Sequence, residues 1–333
     1  MQDYNTKELS DSRISAEFYE ARYQEGYMED WPEEKKSFVS EFIKQLIPGN
    51  TGIALDFGCG NGVFSEVLKK VLPGWEIWGC DISESALTNA RKRCPNCKFG
   101  TLEQIQNQNI KFDLIFSHHV LEHVSNLDEI VGSLADSLKI GGRCAHILPC
   151  GNKGSLEYNV ASLVANGIDA NLGNRFYYED KGHLRRLTSD ELCWVHNKFG
   201  MSQENAWFQN HYYGSLDWMS DYPDDYIMND ITLLEKAINQ RARLKLKRLQ
   251  RKITSLKKAK LFAKQGVRHR IKTRLMEAQS NPVKILTLPF RLIRDYKLVL
   301  SGKKFAKLLQ HEKINERANQ NASEMFIVLI KTQ

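Results

Sequence analysis

The chain has 333 residues, 42% of them hydrophobic, enough to bury one large core or two smaller ones. Its 47 Lys and Arg exceed its 40 Asp and Glu, for a net charge of +7. No apolar run approaches the roughly 18 residues of a bilayer span, and Met1 to Arg13 is too polar for a secretory leader, so neither a membrane-spanning nor a leader-directed chain is expected. Of seven cysteines, at 59, 80, 94, 97, 144, 150 and 193, several fall in apolar strand-like runs. That pattern suits reduced thiols in a cytoplasm better than a disulfide framework.

The first expected helix carries Phe18, Tyr19 and Tyr23 at helical spacing, as a packed face would. Pro32 opens a second, with Phe38, Phe42, Ile43 and Leu46 on one side and Pro48-Gly49 as its stop. An apolar strand from Ile53 then runs into Asp56-Phe-Gly-Cys-Gly-Asn-Gly62 and an amphipathic stretch from Val63 to Leu72. Glycines at 58, 60 and 62 let main chain approach a ligand closely. Their alternate spacing is not the G-x-G-x-x-G of a dinucleotide site, which argues against a dehydrogenase. Asp56 at this loop would repel a pyrophosphate and suit a cationic amino group. Nineteen residues after Gly62, Asp81 ends the strand Glu76 to Cys80, where a carboxylate can accept from both hydroxyls of a ribose. An amino-acid end and a ribose together outline S-adenosylmethionine (SAM).

Cys94-Pro-Asn-Cys97 has no second pair and reads as a turn before a third strand. Asn126 with Glu129 and Thr188 with Glu191 have capping-box spacing, before helices to Leu138 and Phe199. Strand and helix signals alternate to about residue 210, which predicts a doubly wound α/β sheet with its ligands beyond the carboxyl ends of the strands.

Four blocks in order resemble the class I SAM-dependent methyltransferases. They are Asp56 to Gly62, Asp81, Phe112-Asp-Leu-Ile-Phe-Ser117 with Val120-Leu-Glu-His-Val124, and Leu138-Lys-Ile-Gly-Gly-Arg143 with Cys144 to Leu148. The resemblance covers residues 15 to 210 plus 323 to 331. It implies a seven-stranded Rossmann-like sheet with a basic helical insertion before its last strand, Glu324 to Lys331. The implied division is lid helices in 1–50, a SAM-binding core in 51–214, the insertion in 215–322 and the closing strand in 323–333. Implied cofactor contacts are Asp56, Gly58, Gly60, Gly62, Asp81, Ile82, Thr101, Leu102 and His118. Thr101, with Glu103 nearby, stands where many relatives carry an acid for the adenine amino group. Phe18, Tyr19 and Tyr23 would sit on a helix folded over the cofactor.

Methyl transfer to a hydroxyl gains from a placed base, and histidine titrates near neutrality. His119, Glu122 and His123 follow the fourth strand, and the Leu-Glu-His-Val block is shared by quinone-type O-methyltransferases. His183, in Gly-His-Leu-Arg-Arg-Leu-Thr188, resembles the His-x-x-x-(Phe/Leu)-Thr stretch of enzymes acting on small molecules and bacterial glycans, where it would face the acceptor. No cluster has metal-ligand spacing, so no metal is expected. The long segment 151–181 offers Asn152, Tyr158, Asn159, Asn171, Asn174, Arg175, Tyr177 and Tyr178, amides and phenols suited to a hydroxyl-rich acceptor. The expected reaction is O-methylation of a sugar in a cell-surface glycan or its lipid-linked precursor. Alternatives are a quinone- or lipid-type acceptor, an RNA methyltransferase, which lacks the Asn/Asp-Pro-Pro-aromatic signature, and a non-catalytic SAM-binding scaffold.

Residues 236–313 hold 24 Lys and Arg against three acids, or +21, so the remainder is 23 − 37 = −14. Leu246, Leu249, Ile253, Leu256, Ala263 and Val267 recur at helical spacing between these charges. Pro282 to Leu300 is rich in Leu, Ile and Phe yet too charged to span a bilayer. Three readings follow for this insertion: contact with an anionic membrane on the inner face of the cell, nucleic-acid binding, or a helical hairpin or dimerisation arm whose charged outer face is merely solvated. Exposed apolar residues without interleaved glycine favour lipid over nucleic acid.

Overall fold

The computed structural model describes residues 8–46, 49–279 and 282–333. Met1–Lys7 and the helix stop at Pro48 lie outside the described residues. Seven strands form one sheet: β1 (Ile53–Phe57), β2 (Glu76–Cys80), β3 (Lys98–Gly100), β4 (Phe112–His118), β5 (Leu138–Pro149), β6 (Met201–Gln209) and β7 (Glu324–Lys331). Their order is β3-β2-β1-β4-β5-β7-β6. The first five run parallel, and β7 pairs antiparallel with both β5 and β6. The last strand in the chain is thus wedged between β5 and β6, as the resemblance implies.

Both faces of this sheet are apolar because helices cover both. Ala54, Leu114, Phe116, Ala145, Phe326 and Val328 meet Val39, Phe42 and Ile43 of α2 (Glu33–Leu46) and Phe64 and Leu68 of α3 (Val63–Val71). Their alternate neighbours Leu55, Ile115, Cys144, Ile327 and Leu329 meet Val131 and Leu134 of the helix Leu127–Ser137 and Leu192 of Ser189–Asn197. Two further helices matter for the site: α1 (Ser12–Gln24) and α4 (Glu84–Arg93).

Several local expectations change. Asn126 makes no side-chain cap, since its amide donates to Glu129 Oε2 (2.6 Å) instead. Thr188 and Glu191 do form the expected box, and Thr101 with Gln104 forms another. Residues Leu138 to Arg143 are strand rather than helix end and turn, with Gly141 at φ 77° beside a shift in the β4–β5 register. Cys94 and Cys97, expected as reduced thiols, are joined across the turn before β3, while Cys59, Cys80, Cys144 and Cys150 are buried and free.

The insertion between β6 and β7 is a long helical arm, α5 (Gln240–Gln279) and α6 (Leu288–Asn315). Gly266 breaks α5 with φ 77° and ψ 162°, a conformation that L side chains rarely adopt. Gly302 lets α6 approach the Ala259 carbonyl, which an added Cβ would meet at 2.3 Å. The root of the arm is core: Leu246, Ile253, Leu256 and Phe305 bury against Leu216, Met219, Ile227 and Ile231. Of the expected stripe, Leu246, Ile253 and Leu256 are buried, whereas Leu249, Ala263 and Val267 are half-covered.

Candidate active site

The glycine loop crosses the carboxyl end of β1. Gly58, Gly60 and Gly62 have φ of 71°, 50° and 76°, and Gly58 and Cys59 donate to the Cys80 carbonyl at 2.8 and 2.9 Å. A side chain at Gly58 would strike Val120, and one at Gly62 would strike Ala90 of α4. The loop is therefore clamped between the segment after β4 and a helix. Asp81 takes one backbone N–H on each oxygen, from Gly60 (2.9 Å) and Ser83 (3.0 Å). A carboxylate so held by backbone N–H groups keeps accepting capacity for a hydroxyl. Asp56 lies under the loop rather than facing it, buried, with Ser65 donating to its Oδ2 at 2.6 Å. Loss of hydration pushes its carboxyl up to about 7.

Helix α1 covers this edge, as a lid would. The Tyr23 hydroxyl lies so near Gly60 that an added Cβ would stand 2.7 Å from it. Glu20 accepts from Ser83 Oγ (2.7 Å), the Ser85 N–H (3.2 Å) and the Ser85 hydroxyl at the start of α4. Arg22 grips Asp180 through two bonds of 2.8 and 2.9 Å. Phe18 and Tyr19 pack with Leu9 and Leu184, and the Tyr19 hydroxyl reaches His123 Nδ1 at 2.6 Å. Among the other expected contacts, Ile82 is exposed beside Asp81. Thr101 spends its hydroxyl as an N-cap, accepting from Gln104 N at 3.2 Å, and Leu102 begins the helix behind it. His118 meets Trp31 edge to face and Phe64 at a tilt, with ring centroids 4.6 and 4.2 Å away. Neither of its nitrogens has a protein partner, and burial holds it neutral.

Beyond β4 the structure assembles a buried chain of charge. His119 adopts φ 54°, its N–H donating to the Ile147 carbonyl, and this turns its ring between two acids. Nε2 lies 3.0 Å from Glu324 Oε1, and Nδ1 lies 3.2 Å from Glu122 Oε1, an ion-pair distance off the line of a hydrogen bond. Burial alone would lower the His119 pKa, but Glu122 and Glu324 overcome it and push it up to about 9. Both carboxyls sit near 2 although burial opposes this, Glu122 held there first by His119 and Glu324 first by Lys35. His119 is therefore a cation at neutral pH and a poor proton acceptor.

His123 and His183 meet edge to face at 4.7 Å. His123 Nδ1 lies 2.9 Å from the Gly182 carbonyl and 2.6 Å from the Tyr19 hydroxyl, so an acceptor and a hydroxyl share this one nitrogen. Burial lowers its pKa to about 4. His183 Nδ1 stands 2.8 Å from Glu179 Oε2, and Glu179 is fixed in turn by Arg186 at 2.9 Å, itself paired with Glu157. A carboxylate on Nδ1 fixes the tautomer and leaves Nε2 free, the arrangement of an oriented general base. All four expected catalytic residues thus share one edge. Glu179, Glu324, Arg186 and Lys35 join them unforeseen; Glu179 meets His183 across a turn, where no helical spacing signals the pair.

Among the described residues, two groups place one donor atom each within 4.8 Å of one another: His118, His119 and Glu324, and Glu122, His123 and His183. In the second, Glu122 Oε1 and His123 Nε2 stand 4.0 Å apart, where donors on one tetrahedral zinc would be about 3.4 Å apart. A small contraction would let that group hold a divalent ion, a convergence hidden in sequence because His183 lies 60 residues beyond His123.

Residues 55–144 match the family model described as a methyltransferase domain. The sheet, with β7 inserted antiparallel, fits the Rossmann-like methyltransferase fold. The chain is 31% identical over 109 residues to a ubiquinone biosynthesis O-methyltransferase of Hydrogenovibrio crunogenus, covering 31% of this chain and 44% of that one. It is 36% identical over 94 residues to the namesake of Agrobacterium fabrum, covering 26% and 37%. The chain thus spans less than half the length of these curated relatives. Among solved structures it is similar to the YcgJ protein of Bacillus subtilis, at 20% identity and a TM-score of 0.46, over 63% of this chain and 88% of that one.

The chain spends most of segment 151–181 on its own fold. Asn152 bonds Ser189, Asn159 bonds the Gly154 carbonyl, Asn174 bonds Glu191, Arg175 bonds the His183 carbonyl and Tyr177 bonds the Ile231 carbonyl. The amides and phenols expected to meet a hydroxyl-rich acceptor are largely engaged in holding the segment's own fold. Tyr178 is an exception, its hydroxyl buried with no partner.

Proposed function

We propose that the chain is a SAM-dependent O-methyltransferase whose acceptor is a hydroxyl on a lipid-attached molecule, read first as a quinone-type phenol. The observation that carries this reading is the Glu179–His183 pair, set against Glu122 and His123 at the strand edge that also bears the glycine loop and Asp81. SAM supplies an electrophilic methyl group when bound. Asp81 would accept from its ribose hydroxyls, the loop would lie along its methionine end, and Ile82 and Leu102 would flank the adenine. His183 Nε2 would take the acceptor proton while Glu179 orients the ring. Buried Glu122, its oxygens without hydrogen-bond donors, would stabilise the imidazolium so formed.

The relatives named for ubiquinone biosynthesis favour the phenol. A glycan precursor is the second reading; it loses support because five of the eight polar side chains expected to meet it bond within the protein, while Tyr178 and two others keep it open. The test is calorimetric SAM titration of the wild type and Asp81→Ala, followed by methyl transfer to polyprenylated catechols and to lipid-linked sugars. We expect Asp81→Ala to abolish SAM binding. His183→Ala should lower kcat roughly 10²–10⁴-fold with SAM affinity kept, the usual contribution of a placed base. Unchanged turnover in His183→Ala would remove the proposed base, and wild-type protein that binds no SAM would overturn the reading.

A further inference from the structure

The far end of the arm has a surface that the methyltransferase chemistry does not use. Residues 261–300 hold nine Lys and Arg against two acids, Glu277 and Asp295, a local charge of 9 − 2 = +7. Both acids are consumed internally. Buried Asp295 is clasped by Arg270 (3.0 Å) and Arg274 (2.7 Å), and Glu277 pairs with Arg274 (2.8 Å) and Arg291. These pairs tie the end of α5 to the start of α6, so the tip is a stapled hairpin rather than a loose strand of charge. Outside the staple, Arg268, Lys272 and Lys297 are exposed and turned outward.

Between those cations the tip exposes large apolar side chains. Leu286 is 80% exposed, Phe290 76% and Met276 60%, joined by Ile285, Ile293 and Tyr296. Phe290, Ile293 and Leu300 follow helical spacing along α6, and Leu286 ends the short helix Pro282–Leu286 just before it. A contiguous apolar surface of this kind marks an interaction site. Its occupant has to accept aliphatic side chains and balance positive charge at once. Nucleic acid supplies the charge, yet it would leave Leu286 and Met276 against water or phosphate. An anionic phospholipid surface supplies both, with acyl boundary for these side chains and headgroups for the cations.

We infer that the tip of the α5–α6 arm docks on an anionic phospholipid surface, with Leu286 and Phe290 inserted below the headgroups and Arg268, Lys272 and Lys297 lying among them. Among the described residues no helix is long and apolar enough to cross a membrane, so the contact is peripheral. This surface lies at the opposite end of the arm from its packed root, and its use does not depend on the proposed reaction.

The test is flotation of the full chain with vesicles of phosphatidylcholine alone and of phosphatidylcholine mixed with phosphatidylglycerol. Wild type should float with the anionic vesicles only, and added salt should weaken it. The double variant Leu286→Ser/Phe290→Ser should lose at least about tenfold in affinity at unchanged melting temperature, because both side chains are exposed before binding. Lys272→Glu/Lys297→Glu should lose affinity as well. Flotation absent in the wild type, or indifferent to both variants, overturns the inference. So does sedimentation showing that Leu286→Ser/Phe290→Ser converts a dimer to a monomer while vesicle binding persists, or tighter salt-dependent binding to RNA than to vesicles.

Discussion

His119 shows how one residue can be misjudged from its neighbours in sequence. Its place after β4 suggested a base, but Glu324, from the other end of the chain, makes it a half-buried cation instead. Removing it would leave buried Glu122 without its nearest cation, while Glu324 keeps Lys35, so His119→Ala should lose about 1–3 kcal/mol of stability, read as a fall in melting temperature. The pH dependence has a definite sign. A raised histidine pKa contributes stability that is full below about 6.5 and lost as pH rises through about 9. Lowered carboxyls contribute above about 4.5 and lose it as pH falls through about 2. The wild-type advantage over His119→Ala should therefore peak between those limits and shrink on either side. Asp56 has the opposite tendency. Its pKa near 7 means that ionising it costs the folded state as pH rises from about 4 towards 7. Asp56→Asn should therefore lose less stability than the wild type over that range, read as melting temperature against pH. Parallel profiles for the two proteins would refute the linkage.

At the scale of elements, α1 is the part that most constrains the site. Its aromatic residues read equally well as packing or as cover, and they do both: Phe18 and Tyr19 bury, while Tyr23 lies over Gly60. A cofactor lying along the loop would share this space with Tyr23. The helix is held on one side by Glu20 on Ser83 and Ser85 and on the other by Arg22 on Asp180. Hydrogen bonds to a charged group contribute about 1.5–3 kcal/mol, so Glu20→Ala should speed SAM association about tenfold or more in stopped-flow measurements. If the rate is unchanged, α1 does not gate entry. The helix was legible from its aromatic spacing; its two anchors were not, because Ser83, Ser85 and Asp180 lie 63 to 158 residues away.

At the scale of the molecule, an acidic domain and a basic arm share one chain, and the arm is part of the fold at its root. Cutting out residues 236–313 would strip the cover from Leu216, Met219, Ile227 and Ile231. Within the arm, Ile253→Ala should cost about 2–5 kcal/mol because Ile253 is fully buried, while Ile293→Ala should shift stability by less than about 0.5 kcal/mol because Ile293 stands in water. Equal effects in thermal unfolding would contradict this division into root and tip. The sequence by itself determined the strands, the glycine loop, Asp81 and the antiparallel closing strand, because periodicity, glycine spacing and strand ends are local properties of the backbone. Tertiary structure decided the rest. Glu324 reaches His119 only because β7 lies beside β5, and Glu122 comes into the company of His183 only because segment 179–188 folds back over the sheet edge. Segment 151–181, polar in sequence, turned its amides inward because its own backbone needed partners. Which histidine is charged and which is basic is a property of burial and of those distant carboxylates, and neither is written in the spacing of the residues.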